Sequence, residues 1–181
     1  MSRDLLHTPF FIFDVESIGL YGEGFAVAGG VYIAGEAESE FCFACPPAAA
    51  EGEESDRKWV MKNCPAIETT HDFPDELREA FWREWKTAKA AHPGILMAGE
   101  CVYPVEVKFI TECVRQDGKI IYAPYPLHEI SSFMLAAGME PMDRHSRLFD
   151  EIPAHFPLAD ARLSARLLAT ALRRLALKNE N

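Results

Sequence analysis

The sequence lacks any apolar run long enough to cross a bilayer; stretches such as Phe10–Phe13 and 94–99 (GILMAG) fall far below the roughly 20 residues a helical span needs. It also lacks a basic N-terminal region followed by a long apolar one, so a soluble, unexported, cytoplasmic protein with no membrane partner is expected. Five cysteines form no even set: Cys42 and Cys45 make one CxxC, while Cys64, Cys101 and Cys113 stand apart without a second pair. That pattern speaks against a disulfide framework and a zinc knuckle, and suits a reducing compartment. Basic charge is in short supply, with 18 Lys and Arg against 28 Asp and Glu and a net charge of −10. A protein so acidic does not coat duplex nucleic acid, because that mode relies on counterions released by a basic surface. No internal repeat is present. What remains is ordinary for a globular chain with its own core, 49% hydrophobic and 25% charged, and one domain over residues 1–181 is expected.

The charge is unevenly spread. Residues 36–56 hold acids and no base, whereas Arg162, Arg166, Arg173, Arg174 and Lys178 gather near the C-terminus. Three strands are predicted at Phe10 onward, at 25–34 (FAVAGGVYIA) and at 39–45 (SEFCFAC), forming an antiparallel meander. The stretch 46–56 (PPAAAEGEESD) has no large apolar side chain and reads as an exposed loop. From Pro74 a helix is predicted, with Asp72 as its cap and Leu77, Phe81, Trp85 and Ala88 on the buried stripe; Trp82 lies off that stripe and reads as a surface contact. A strand at 94–99, a helix from about Pro104 to Val114 and a last short strand at 119–122 imply a parallel pair. A helix over 127–137 ends at Gly138, residues 139–157 show no period, and a final helix starts at Pro157 with Ala161, Ala165, Leu168, Leu172 and Leu175 on its apolar face.

Two patterns carry chemistry. At the end of the first strand Asp14 and Glu16 stand two residues apart and therefore project to one face. Paired hard oxygens beside an apolar run are costly to bury unless a cation or hydrogen bonds compensate them. In 155–160 (HFPLAD) a histidine precedes the last helix and a carboxylate falls in its first turn, where the helix N-terminus favours the ionised form that a metal requires. A third element is 105–110 (VEVKFI), where Glu106 starts a helix after the 94–99 strand.

With these residues in place the sequence resembles the DEDDh family of 3′ to 5′ exonucleases, relatives of the bacterial polymerase proofreading subunit, RNase T and oligoribonuclease. FDVESIGL looks like the first motif and HFPLADA like the third; EVKFI fits the frame of the second with Glu106 where the family carries Asp. The resemblance spans essentially the whole chain. It implies an α/β, RNase H-like fold: a mixed five-stranded sheet, its first three strands antiparallel and the last two parallel to the first, with helices on both faces. It further implies two divalent ions, Mg²⁺ or Mn²⁺, about 3.5–4 Å apart. Asp14, Glu16, Asp160 and Glu106 (with Glu100 as the alternative) would hold them, and His155 would be the general base. Glu in place of Asp is one methylene longer, which bears on a metal with strict ligand geometry.

From the same resemblance, Ser17, Ile18 and Leu20 line the terminal nucleotide pocket, with Leu20 as a wedge. Packing of Ile18 and Leu20 in the core is the other reading, and Lys108 and Arg162 are candidate phosphate contacts or solvated helix charges. The expected activity is 3′ to 5′ hydrolysis of single-stranded DNA or RNA ends or short oligonucleotides to nucleoside 5′-monophosphates. A catalytically weakened interaction module and a small-substrate phosphodiesterase stand as alternatives, and a homodimer is open.

Overall fold

The computed structural model describes residues 5–143 and 145–179. Strands β1 (Phe10–Ser17), β2 (Gly24–Ile33), β3 (Glu36–Ala44), β4 (Leu96–Gly99) and β5 (His128–Glu129) form one sheet in the order β3-β2-β1-β4-β5. β1 pairs antiparallel with β2, and β2 with β3; β4 runs parallel to β1, and β5 parallel to β4. The mixed five-stranded sheet expected from sequence is thus present. Its fifth strand is not 119–122, however. Ile120–Tyr122 is a turn of 3₁₀ helix with Ile120 and Ile121 largely exposed. The edge is instead the two-residue β5, with Ala98 opposite His128 and Gly99 opposite Glu129.

Side-chain parity along β1 divides the core. Phe11, Phe13 and Val15 face one layer and Phe10 and Ile12 the other, as period-2 alternation requires for a strand buried on both faces. The first layer holds α2 (Pro74–Ala91) and α3 (Val105–Asp117). There Phe11 meets Trp85 edge-on at 5.4 Å and Phe81 at 5.6 Å. Such ring pairs add about 0.5–1.5 kcal/mol each beyond area burial. The indole of Trp85 donates to the Tyr122 carbonyl at 2.7 Å, anchoring the 3₁₀ turn. The second layer holds α4 (Ile130–Ala136) and α5 (Pro157–Asn179), whose Ala161, Ala165, Leu168 and Leu172 form the predicted apolar face against β1 and β2.

Other sequence expectations need correction. Residues 46–56 are not wholly an exposed loop: Ala50 is buried, the Arg57 guanidinium donates to the carbonyls of Pro47 and Ala50, and a helix, α1 (Glu54–Asn63), starts inside the segment. Asp72 does not cap α2. Its place is taken by Glu76, which reaches back to accept from the amides of Asp72 (3.0 Å) and Phe73 (3.3 Å). Trp82 is buried, at 3% exposure, because α3 covers α2 on a second side and widens the buried stripe. No helix among the described residues is long and apolar enough to cross a membrane.

Candidate metal centre

The parity of β1 continues from Phe10 and Ile12 to Asp14 and Glu16, so both carboxylates emerge on the face covered by α5. α5 begins at Pro157 and brings Asp160 in its first turn to the same place. One carboxylate oxygen from each of Asp14, Glu16 and Asp160 lies within 4.8 Å of the others, and among the described residues this is the one group of three or more potential ligands so close. The cysteines of the CxxC gather no such group.

Glu106 stands just outside this trio and is 6% exposed. Its position follows from the sheet. β4 pairs with β1 only as far as Ile12, so further along that edge the strand has no neighbour, and Glu106 Oε1 accepts the Val15 amide at 3.4 Å. Glu100, at the end of β4, accepts from Ser164 Oγ at 3.3 Å and is also near Asp14. The intervening loop is held by Glu129, whose carboxylate accepts from the amides of Cys101 and Val102, both at 2.9 Å, and of Ser131 at 3.0 Å.

So many acids in a partly buried site shift one another. Burial, then repulsion from Glu106, Asp160, Glu16 and Glu100, holds Asp14 well above the carboxylate range. Burial and Asp160 push Glu16 up to about 7, against a weak pull from the Cys64 thiol, which donates to Glu16 Oε2 at 3.8 Å. Burial pushes Glu106 up to about 8, opposed by backbone hydrogen bonds. Burial also raises Glu100, partly offset by Ser164.

Beside the acids opens a cleft of ≈ 410 Å³ lined by Glu16, Ser17, Gly19, Leu20, Trp59 and His155, among others. Gly19 has φ 73°, and a Cβ there would meet Asp56 Oδ2 at 2.1 Å; the glycine lets the turn after β1 approach α1. His155 is exposed and its backbone lies in the left-handed region at φ 60°, which for a non-glycine residue costs about 1–3 kcal/mol and marks a side chain held in place by its surroundings. Its ring meets Trp59 of α1 edge to face.

The structure therefore brings together Asp14, Glu16, Asp160 and Glu106, and puts His155, Ser17 and Leu20 on the adjoining cleft. Ile18 is a correction. Its side chain is fully buried in the first core layer and its amide donates to the Glu23 carbonyl at 3.0 Å, so it lines no pocket. Leu20, 62% exposed, takes the solvent side of the same turn. Lys108 pairs with Glu112 at 2.5 Å, and Arg162 pairs with Glu40 through Nε (2.8 Å) and Nη2 (2.6 Å), so both cations are engaged away from the acids. Sequence reasoning did not identify Trp59, Cys64, Glu129 or Arg147, the last of which places Nη2 2.5 Å from Asp160 Oδ1. An exposed tryptophan on a polar segment was the one signal available for Trp59.

No protein-family model matches the chain, and no curated protein matches it significantly. Among solved structures it is similar to S. pombe Pop2p in a Mg²⁺- and Mn²⁺-bound form, with a TM-score of 0.63 and 12% identity over 90% of this chain and 82% of that chain. At this identity the likeness is one of fold, and the fold is RNase H-like.

Proposed function

We propose that this chain is a metal-dependent 3′ to 5′ exonuclease that hydrolyses phosphodiester bonds at single-stranded nucleic-acid ends or in short oligonucleotides, releasing nucleoside 5′-monophosphates. The carrying observation is the convergence of Asp14, Glu16 and Asp160 within 4.8 Å beside a cleft that presents His155. The donor set fits hard divalent cations: every candidate ligand is a carboxylate, and burial together with the neighbouring acids raises the proton affinity of Asp14, Glu16 and Glu106. The Mg²⁺- and Mn²⁺-bound form of Pop2p supports the same choice of ion.

When bound, two divalent ions would acidify a water and neutralise charge on the phosphodiester. Asp14, Glu16 and Asp160 would hold them, with Glu106 of α3, whose carboxylate accepts the Val15 amide, in support. His155, exposed at the cleft and free of the carboxylate cluster, accepts the proton from the attacking water at a ring nitrogen; imidazole is suited to this because it titrates near neutrality. Leu20 and Trp59 offer apolar surfaces on which a terminal base rests without being read for sequence. The acidic surface agrees with a grip on few nucleotides.

The test is mononucleotide release from matched 5′-labelled single-stranded DNA and RNA with Mg²⁺, Mn²⁺ or EDTA, with Asp14→Ala as control. A metal-dependent ladder from the 3′ end, absent in the variant, upholds the proposal and reveals the preferred sugar. No ladder, with Mn²⁺ binding retained, redirects the assignment to a small-substrate phosphodiesterase; loss of both points to an interaction module.

A further inference from the structure

We propose that Arg147 is a built-in counter-cation that competes with a divalent ion for Asp160, an inference that rests on the metal-centre reading above. Five carboxylates, Asp14, Glu16, Glu100, Glu106 and Asp160, surround the site, and among the described residues a single ion pair reaches any of them: Arg147 Nη2 to Asp160 Oδ1 at 2.5 Å.

The arm is mounted to aim there. Arg147 Nη1 donates to the Glu151 carbonyl at 2.8 Å. Glu151 is itself buried, and its carboxylate accepts from Arg166 Nε (2.5 Å) and Nη2 (2.8 Å) and from the Leu148 amide (2.8 Å). Arg166 and Asp160 both belong to α5, so Glu151 clamps the loop to the helix that carries Arg147's target. The guanidinium is thus fixed by one hydrogen bond, to the Glu151 carbonyl, and one ion pair, to Asp160, with one strut behind it.

Two consequences follow from charge alone. A guanidinium on Oδ1 takes one of the two oxygens Asp160 can offer, and its positive charge repels a cation arriving at the same carboxylate. It also relieves the repulsion among the acids while no ion is bound. Arg147 therefore lowers metal affinity and steadies the protein without metal.

The test is calorimetric titration with Mn²⁺ at fixed pH of the wild type, Arg147→Gln and Arg147→Lys, with melting temperatures of each in EDTA. Arg147→Gln is expected to bind Mn²⁺ about tenfold tighter, a difference of about 1.4 kcal/mol, and to melt lower in EDTA. Arg147→Lys, which keeps the charge but loses the second bond, should fall between the two and guards against a misfolded glutamine variant. Mn²⁺ affinity at or below wild type in the folded variants overturns the competition while leaving the metal centre intact. A wild type that binds no Mn²⁺ overturns both.

Discussion

The indole of Trp59 meets the imidazole of His155 edge to face, with ring centroids 5.4 Å apart and planes at 84°. Trp59 is 51% exposed, so it is not held there as core; it leans on the histidine and leaves its other surface to the cleft. Removing it should misplace the proton acceptor. Trp59→Ala is expected to lower kcat/KM about tenfold or more, and Trp59→Phe to restore most of it, whereas His155→Ala loses about 10²–10⁴. Steady-state kinetics on a short oligonucleotide, with the pH profile of each variant, distinguishes misplacement from simple loss of base stacking, which would raise KM alone.

The acids make stability depend on pH in a defined direction. Carboxyl groups held above their unfolded values bind protons more tightly in the folded chain, so their stabilising protonation is complete below about pH 4 and is lost as pH rises through the folded values. For Glu16 and Glu106 those values are about 7 and about 8. Melting temperature in EDTA should therefore fall between pH 5 and 8.5, and Mn²⁺ should raise it most at the alkaline end. Glu16→Gln should flatten the slope in EDTA; an unchanged slope would remove Glu16 as its source.

Glu106 and Glu100 are separable by substitution. Glu106→Gln should reduce hydrolysis about 10–100-fold, the usual loss for a group that supports metal ligands, with little change in fold. Glu100→Gln should cost less, because Glu100 faces Ser164 and not the β1 edge. The reverse ranking in single-turnover rates would transfer the supporting role to Glu100.

The clamp behind the histidine loop is also open to measurement. Glu151→Ala strips Arg166 and the Leu148 amide of their acceptor in a buried spot. A loss of about 1–3 kcal/mol is expected by urea denaturation, along with faster proteolysis within residues 145–155. Arg174→Ala, exposed towards the C-terminal end of α5, serves as the control.

Much of this was legible because the decisive elements are periodic. β1 alternates, α5 repeats its small and leucine residues every three to four positions, and the acids that meet sit at fixed steps along those two elements. The elements missed have no period to read. α1 buries only Val60, and β5 is two residues long, shorter than one alternation. The alternation rule also stops at the irregularity between Glu16 and Ser17, which is why Ile18 turned inward while Leu20 turned out. Glu129, Cys64 and Arg147 act across distances in sequence that no local pattern encodes.

β1 lies at the centre of the sheet, between β2 and β4, and supplies Asp14 and Glu16, while His155 hangs on an exposed loop. Amide hydrogens of Phe11 and Ile12, where β1 is paired on both edges, should exchange with solvent only when the whole molecule opens, and those around His155 through small local fluctuations. The site thus joins the protected centre of the sheet to an exposed loop: on heating, the proton acceptor should detach before the acids disperse, and activity should fade ahead of the melt.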